Sequence, residues 1–368
     1  MPSHEVRDHY ERHPYPHYPL LSSVRRHDTY ALNLQALWAR FNGEFLSPGE
    51  GRILVAGSGS FAVYPMSVAN PRDEVTALDL AGASLRRARL HCLLHGRGNV
   101  LFLKGDLLDP TIAPGQFHFI DSFGVLHHLD DPITGLRALE RRLLPGGILR
   151  VMVYGRYARQ EAESIRRGMK LLGISNVADL KHLLARAKPE SRIRNYLDSS
   201  WEARSDAGLA DLFLHPCVHT YRIDEFIAMV RQSRLQPLLF AHAGALGDPS
   251  AEIERLRELD RRQATPVNII CYLGLDTRGA SPPDDSALLQ LNPCLHAAVS
   301  PLHLWPVEVM ARLGFENPLL DTPARCFLRR FRTPLPAAAL SREEIVTAQR
   351  FLDALFLVSC KTGSRKGL

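Results

Sequence analysis

The chain has 368 residues, 45% of them apolar, and 45 basic against 39 acidic side chains, enough for an α/β domain of ~200–250 residues with substantial additions. The resulting +6 charge is modest and spread along the chain, so it permits nucleic acid without indicating it. Six cysteines at 92, 217, 271, 294, 326 and 360 form no C-x-x-C pair, the N-terminus is polar, and no apolar run nears the ~20 residues of a membrane span. This argues against a zinc ribbon, a disulfide scaffold, a signal peptide and a membrane partner, and suits a soluble protein of the reducing cytoplasm.

In residues 10–19 prolines alternate with aromatic residues, which forbids a helix and favours an extended path. Residues 1–50 are read as an N-terminal cap segment. Its tyrosines either drape over the core or, through Tyr15, close a pocket with a hydroxyl. Leu32, Leu34, Leu37, Trp38 and Phe41 predict an amphipathic helix over 29–41. Strands are expected at 53–56, 74–80, 99–104, 117–123, 148–154, 235–241 and 266–275. Helical patterns lie at 62–69, 84–95, 131–144 and 221–234, and a turn at 143–147. Strands separated by helices imply a parallel sheet with ligands at the carboxyl ends of its strands. Residues 156–218 are polar and helical in composition and too long for a simple connection, so they read as a helical insertion within a domain spanning 51–275. A linker follows at 276–282. The 276–368 addition is expected to be mostly helical, ending in an apolar helix over 343–357 whose Phe351, Leu355 and Phe356 need a partner surface, either the core or a second copy in a homodimer.

The first strand stops at Gly57-Ser58-Gly59, where absent Cβ atoms let the backbone turn sharply and approach a bound molecule. Asp79 ends the second strand 20 residues beyond Gly59. That interval returns a carboxylate to the glycine turn, where it can accept hydrogen bonds from both hydroxyls of a ribose. Asp106, at the end of the third strand, can accept a bond from an exocyclic adenine amine.

The order of these elements, together with the Asp121–Pro132 segment (DSFGVLHHLDDP) and Leu143–Gly147, resembles the class I S-adenosylmethionine-dependent methyltransferases. With Tyr10–Pro16, Tyr154 and Tyr157-Ala158-Arg159, the chain is similar to a bacterial subgroup of them. The resemblance implies an α/β, Rossmann-like seven-stranded methyltransferase sheet with helices on both faces, and S-adenosylmethionine as cofactor. By position, Gly57, Ser58 and Gly59 would approach its methionine portion, Asp79 its ribose and Asp106 its adenine amine. Leu80 and Leu107 would flank the ring, and Ser122 and Phe123 would lie near the sulfonium. Two residues depart from the common pattern: Val55 stands where many members have an acid, and Phe61 where many have a third glycine.

Methyl transfer is an in-line displacement that needs positioning, and a base only where the nucleophile must lose a proton. His127 and His128 follow the strand that borders the methyl group, and His127 is the first candidate base, with Tyr15 as a pocket hydroxyl. His215, Cys217 and His219 offer three metal ligands within five residues, but no second cluster accompanies them, so no metal is expected. The function implied is methyl transfer to an O, N or C nucleophile of a small molecule or peptide. A methyltransferase-like binding protein without catalysis is the alternative. A nicotinamide-dependent oxidoreductase is disfavoured for want of a third glycine and a Tyr-x-x-x-Lys.

Overall fold

The computed structural model describes residues 2–47, 49–279, 286–303 and 305–361. The chain begins with a helix, α1 (Pro2–Arg12), that takes in Tyr10, where extended chain was expected. The prolines act only from Pro14 onward. A residue before proline is steered out of the helical region, so the helix stops at Arg12 and the extended path begins there. A 3-10 turn (Arg26–Leu32) and α2 (Leu34–Asn42) replace the single helix expected over 29–41. Asn33 breaks the run and caps α2 by accepting the Ala36 N–H.

Seven strands follow: β1 (Arg52–Ala56), β2 (Glu74–Asp79), β3 (Val100–Lys104), β4 (Phe117–Phe123), β5 (Leu143–Val153), β6 (Gln236–Phe240) and β7 (Ile269–Gly274). They form one sheet in the order β3-β2-β1-β4-β5-β7-β6. Between them run α3 (Val63–Ala69), α4 (Gly82–Leu94), α5 (Pro132–Glu140), α10 (Ile223–Val230) and α11 (Pro249–Arg261). Helices α2, α3 and α4 bury one face of the sheet, and α5, α10 and α11 the other. Cover on both faces is why the central strands read as continuous apolar runs rather than alternating ones.

The sheet corrects two expectations. β7 is antiparallel to both β5 and β6, so the sheet is mixed; antiparallel neighbours need no crossover, and β7 can lie between them. The turn expected at 143–147 lies inside β5. Leu143 already pairs with Phe117, and Pro145-Gly146-Gly147 is absorbed as a register irregularity that the Gly146 N–H pins to the Leu275 carbonyl at 2.8 Å.

The insertion is helical: α6 (Gln160–Leu171), α7 (Val177–Ala185), α8 (Arg192–Ser199) and α9 (Asp206–Leu214), around a small core that includes Ile165, Met169, Leu180 and Phe213. The C-terminal addition is not mostly helical. It holds an antiparallel sheet of β8 (Ala287–Leu291), β9 (Leu335–Pro336) and β10 (Leu357–Lys361), flanked by α12 (Thr322–Arg329) and α13 (Arg342–Asp353). The helix expected to reach 357 stops at Asp353, and Leu355 turns the backbone at φ +60°. The apolar run after it then pairs as a strand with β8. Phe351, Leu355 and Phe356 are buried in the core shared with α2, with Phe356 edge-on to Tyr30 at 5.3 Å. Their partner surface is therefore the chain itself. Residues 280–282 of the expected linker lie outside the described residues. Among the described residues no helix is long and apolar enough to cross a membrane.

Candidate active site

A cavity of about 350 Å³ opens at the carboxyl ends of β1, β2 and β4, within the range of small-molecule sites. One end is made by the glycine turn. Gly57 and Gly59 take φ of +71° and +54°, the left-handed region that other residues enter at a cost. Asp79 faces the cavity here. Its Oδ2 accepts the Gly59 N–H at 2.7 Å and its Oδ1 the Ala81 N–H at 2.8 Å. Burial pushes its carboxyl up to about 6, against the pull of those two amides. Each oxygen keeps a second lone pair, and no cation pairs with this carboxylate among the described ion pairs. A buried acid wired in this way suits a ligand that brings hydroxyl donors, as a ribose does. Leu80, Leu107 and Gly105 form the adjoining walls.

The N-terminal segment closes this end. The Tyr15 carbonyl accepts the Ser60 N–H at 3.1 Å, and the Ser60 hydroxyl donates to the Pro16 carbonyl. A Cβ on Gly59 would sit 2.6 Å from that Tyr15 oxygen, so the second glycine is needed for the cap as well as for the turn. Glu11 accepts the first two amides of α4, Gly82 at 2.7 Å and Ala83 at 2.8 Å, and pairs with Lys104 at 3.0 Å. Lys104 and the two amides hold its carboxyl down at about 2. Further along, α4 presents His91 to the Ser22 carbonyl and His95 to the Leu20 carbonyl. The bulky Phe61 does not line the cavity. Its ring lies 4.2 Å from that of Tyr18 and 5.0 Å from that of His91, fixing the cap to the helix. Val55 has a similar explanation. It lies beside Asp121 across β1 and β4, and Asp121 is bound through both oxygens by Arg150 at 2.7 and 2.9 Å. An acid at 55 would stand against that charge.

The other end of the cavity is built from distant parts of the chain: Tyr10 on α1, Tyr15 on the cap, His128, Tyr154, and Trp201, Glu202 and Asp211 from the insertion. Ser205 caps α9 by accepting the Gly208 N–H at 3.0 Å. A Cβ on Gly208 would overlap the Glu202 carbonyl, so a glycine there lets the 202 turn lie on α9 and sets Glu202 beside Asp211. Asp211 accepts from the hydroxyls of Tyr10 at 2.8 Å and Tyr154 at 3.4 Å. Arg159 binds Glu202 through both terminal guanidinium nitrogens, at 2.8 and 3.2 Å, and lies over the Tyr154 ring at 3.7 Å.

Of the residues singled out from sequence, Gly57, Ser58, Gly59, Asp79, Leu80, Leu107, Phe123 and Tyr15 line the cavity. Asp106 is not among the lining residues and turns back to accept the Leu108 N–H at 2.8 Å. Ser122 is fully buried beneath the surface, its hydroxyl without a hydrogen bond. His127 is also buried, its ring 3.8 Å behind that of Tyr154 and neither nitrogen making a hydrogen bond of ordinary geometry. Burial pushes its pKa well below the usual imidazole range. The imidazole that reaches the cavity is that of His128, not His127. Which of two adjacent histidines faces inward depends on the phase of the 3-10 turn Leu126–His128, which their spacing does not reveal. Sequence reasoning also passed over Asp211, although a lone carboxylate inside Leu209-Ala210-Asp211-Leu212-Phe213 is a visible signal of a buried acid.

His128, Asp211 and His215 bring one ligand atom each within 4.8 Å of one another. Holding a metal would require them to rearrange. The two imidazoles lie nearly face to face, 3.8 Å apart at 31°, whereas a shared ion needs lone pairs that converge in the ring planes. Asp211 already serves two hydroxyls. Cys217 occupies both Nδ1 atoms, its carbonyl taking that of His128 at 2.8 Å and its N–H meeting that of His215 at 3.2 Å. The proton of neutral His215 is then on Nε2, where an ion would have to bind.

Residues 54–149 match the family model described as a methyltransferase domain. An uncharacterized protein of Synechococcus is 26% identical over 376 residues, covering 94% of this chain and 89% of that protein. The solved structure of PKMT2 from Rickettsia typhi shares the fold at a TM-score of 0.56 and 14% identity, over 94% of this chain and 78% of that one. The same protein in complex with AdoHcy gives a TM-score of 0.51. Residues 54–149 thus match a methyltransferase domain, on a fold shared with a protein whose structure has been solved in complex with AdoHcy.

Proposed function

We propose that this chain moves a methyl group to an O, N or C nucleophile of a small molecule or peptide. The observation that carries the reading is one continuous cavity with Asp79 and the glycine turn at one end and a polar, aromatic wall at the other, so that donor and acceptor can meet inside it. S-adenosylmethionine supplies a methyl group activated on a sulfonium. Asp79 holds the ribose hydroxyls, the Gly57–Gly59 backbone approaches the methionine portion, and the strapped N-terminal cap keeps water out. Such a reaction draws most of its acceleration from orientation. His128 is kept neutral by burial, its pKa lowered to about 3, and meets the acceptor as an uncharged imidazole rather than as a strong base. Tyr15 serves as a wall of the acceptor end through its hydroxyl bond to Glu202. The reducing cytoplasm is the proposed setting, in keeping with Cys92, Cys217, Cys271, Cys294 and Cys326, which carry no disulfide.

The test is to identify co-purified cofactor by mass spectrometry and then screen cell extract with labelled S-adenosylmethionine. A labelled product dependent on the full chain supports the reading. Cofactor binding without transfer to any component of the extract would favour the binding-protein alternative.

A further inference from the structure

The acceptor end of the cavity is unusual in what its polar groups have left to offer. Tyr10 and Tyr154 both spend their hydroxyl protons on Asp211, and Tyr15 spends its own on Glu202 at 3.4 Å. Burial first, and then the neighbouring carboxylates, push all three phenols above their usual range, so the protons stay on these oxygens. A hydroxyl that has donated its proton presents only lone pairs to whatever enters. The carboxylates add further acceptors. Glu202 is balanced by Arg159, but Asp211 has no cation within ion-pair distance among the described residues. The single Lys or Arg among the lining residues is Arg150, already committed to Asp121. Aromatic faces complete the wall, with the Trp201 ring half exposed at its edge.

We infer that the acceptor is an amine that arrives as an alkylammonium, held by the Tyr10–Asp211–Tyr154 cluster. This rests on the methyltransferase reading above and names the acceptor class for the same site. A positively charged nitrogen with up to three N–H donors matches a floor made of acceptors, a carboxylate without a counter-ion, and aromatic faces that attract cations. An alcohol brings one donor and no charge, and a carboxylate brings no donor and a charge of the wrong sign. The ammonium passes one proton to Asp211, leaving a nitrogen lone pair to form the N–C bond. The C–S bond breaks with its electron pair kept by sulfur, the methylated ammonium leaves with its charge, and the proton on Asp211 returns to water.

The experiment is calorimetric and uses the full chain, first titrated with S-adenosylhomocysteine and then, once saturated, with n-butylammonium, n-butanol and n-butyrate separately. The expected result is at least a tenfold preference for n-butylammonium. Asp211→Asn should reduce n-butylammonium affinity at least tenfold while S-adenosylhomocysteine affinity stays within twofold, which also reports that the variant is folded. Tyr10→Phe, which removes one acceptor and one hydroxyl, should reduce it several-fold on the same control. Equal binding of the three probes, or a preference for butyrate, by the wild-type chain would overturn the inference and leave the methyltransferase reading standing. No binding of S-adenosylhomocysteine would overturn both.

Discussion

The two ends of the cavity are made in different ways. The cofactor end is local: Gly57, Gly59 and Asp79 lie within 23 consecutive residues, and the bonds that set Asp79 come from backbone amides. The acceptor end is assembled from positions 10, 15, 128, 154, 202 and 211, and its side chains hold one another. The Tyr10 and Asp211 pair alone spans 201 positions. A backbone-made site can be kept by few residue types at fixed spacing, whereas a side-chain-made site can be changed one residue at a time. Such a division lets one scaffold keep its donor while its acceptor varies.

If the two ends are separable, variants at each should move one binding event and spare the other. The largest effect is expected for Asp79→Ala, which removes the proposed acceptor of two ribose hydroxyls. Hydrogen bonds to a charged group contribute about 1.5–3 kcal/mol each, so titration should show S-adenosylmethionine affinity down at least about a hundredfold. Next is Gly208→Ala, where the added methyl must push the 202 turn off α9, at a cost of about 1–3 kcal/mol. Chemical denaturation should register that loss, and acceptor binding should fall while cofactor affinity holds. An equal fall in both would mean that the ends are not separable.

A smaller effect follows from pH. Asp79 sits near 6, so it takes up a proton as pH falls through that value and loses acceptor capacity. Cofactor affinity should therefore be flat above about pH 7 and drop roughly tenfold between pH 8 and pH 5. Asp211 is also raised to about 6, mainly by burial, so the profile should be measured in Asp211→Asn as well. The same drop in that variant assigns it to the cofactor end. Smallest is Glu11→Ala, which uncaps α4 and releases one tie of the cap. It should lower stability by about 1 kcal/mol, read as a shift in denaturation midpoint.

The same contrast explains what was legible in the sequence. Apolar runs marked all seven strands, the central ones because both sheet faces are covered there, and the 20-residue interval from Gly59 to Asp79 is a property of the local β-turn-α-β path. The orientation of β7 was not legible, because an apolar strand reads the same in either direction. α1 was missed because its residues are mostly polar, with Val6 the one buried aliphatic side chain among those described. Its helix is secured by tertiary contacts, the Glu11 bonds to α4 among them. The C-terminal sheet depends on β9, two residues long, and on the turn at Leu355, neither of which leaves a periodic trace. The acceptor wall was least legible of all, since no spacing rule links Tyr10, Glu202 and Asp211. Only the placing of Asp211 within an apolar run hints at its role.

The most direct test of the account is a calorimetric titration of S-adenosylmethionine into the wild-type chain, Asp79→Ala and Asp211→Asn. The account predicts one-to-one binding to the wild type, nearly unchanged binding to Asp211→Asn and loss of binding in Asp79→Ala. Wild-type affinity retained in Asp79→Ala, or no binding to the wild type, would contradict it.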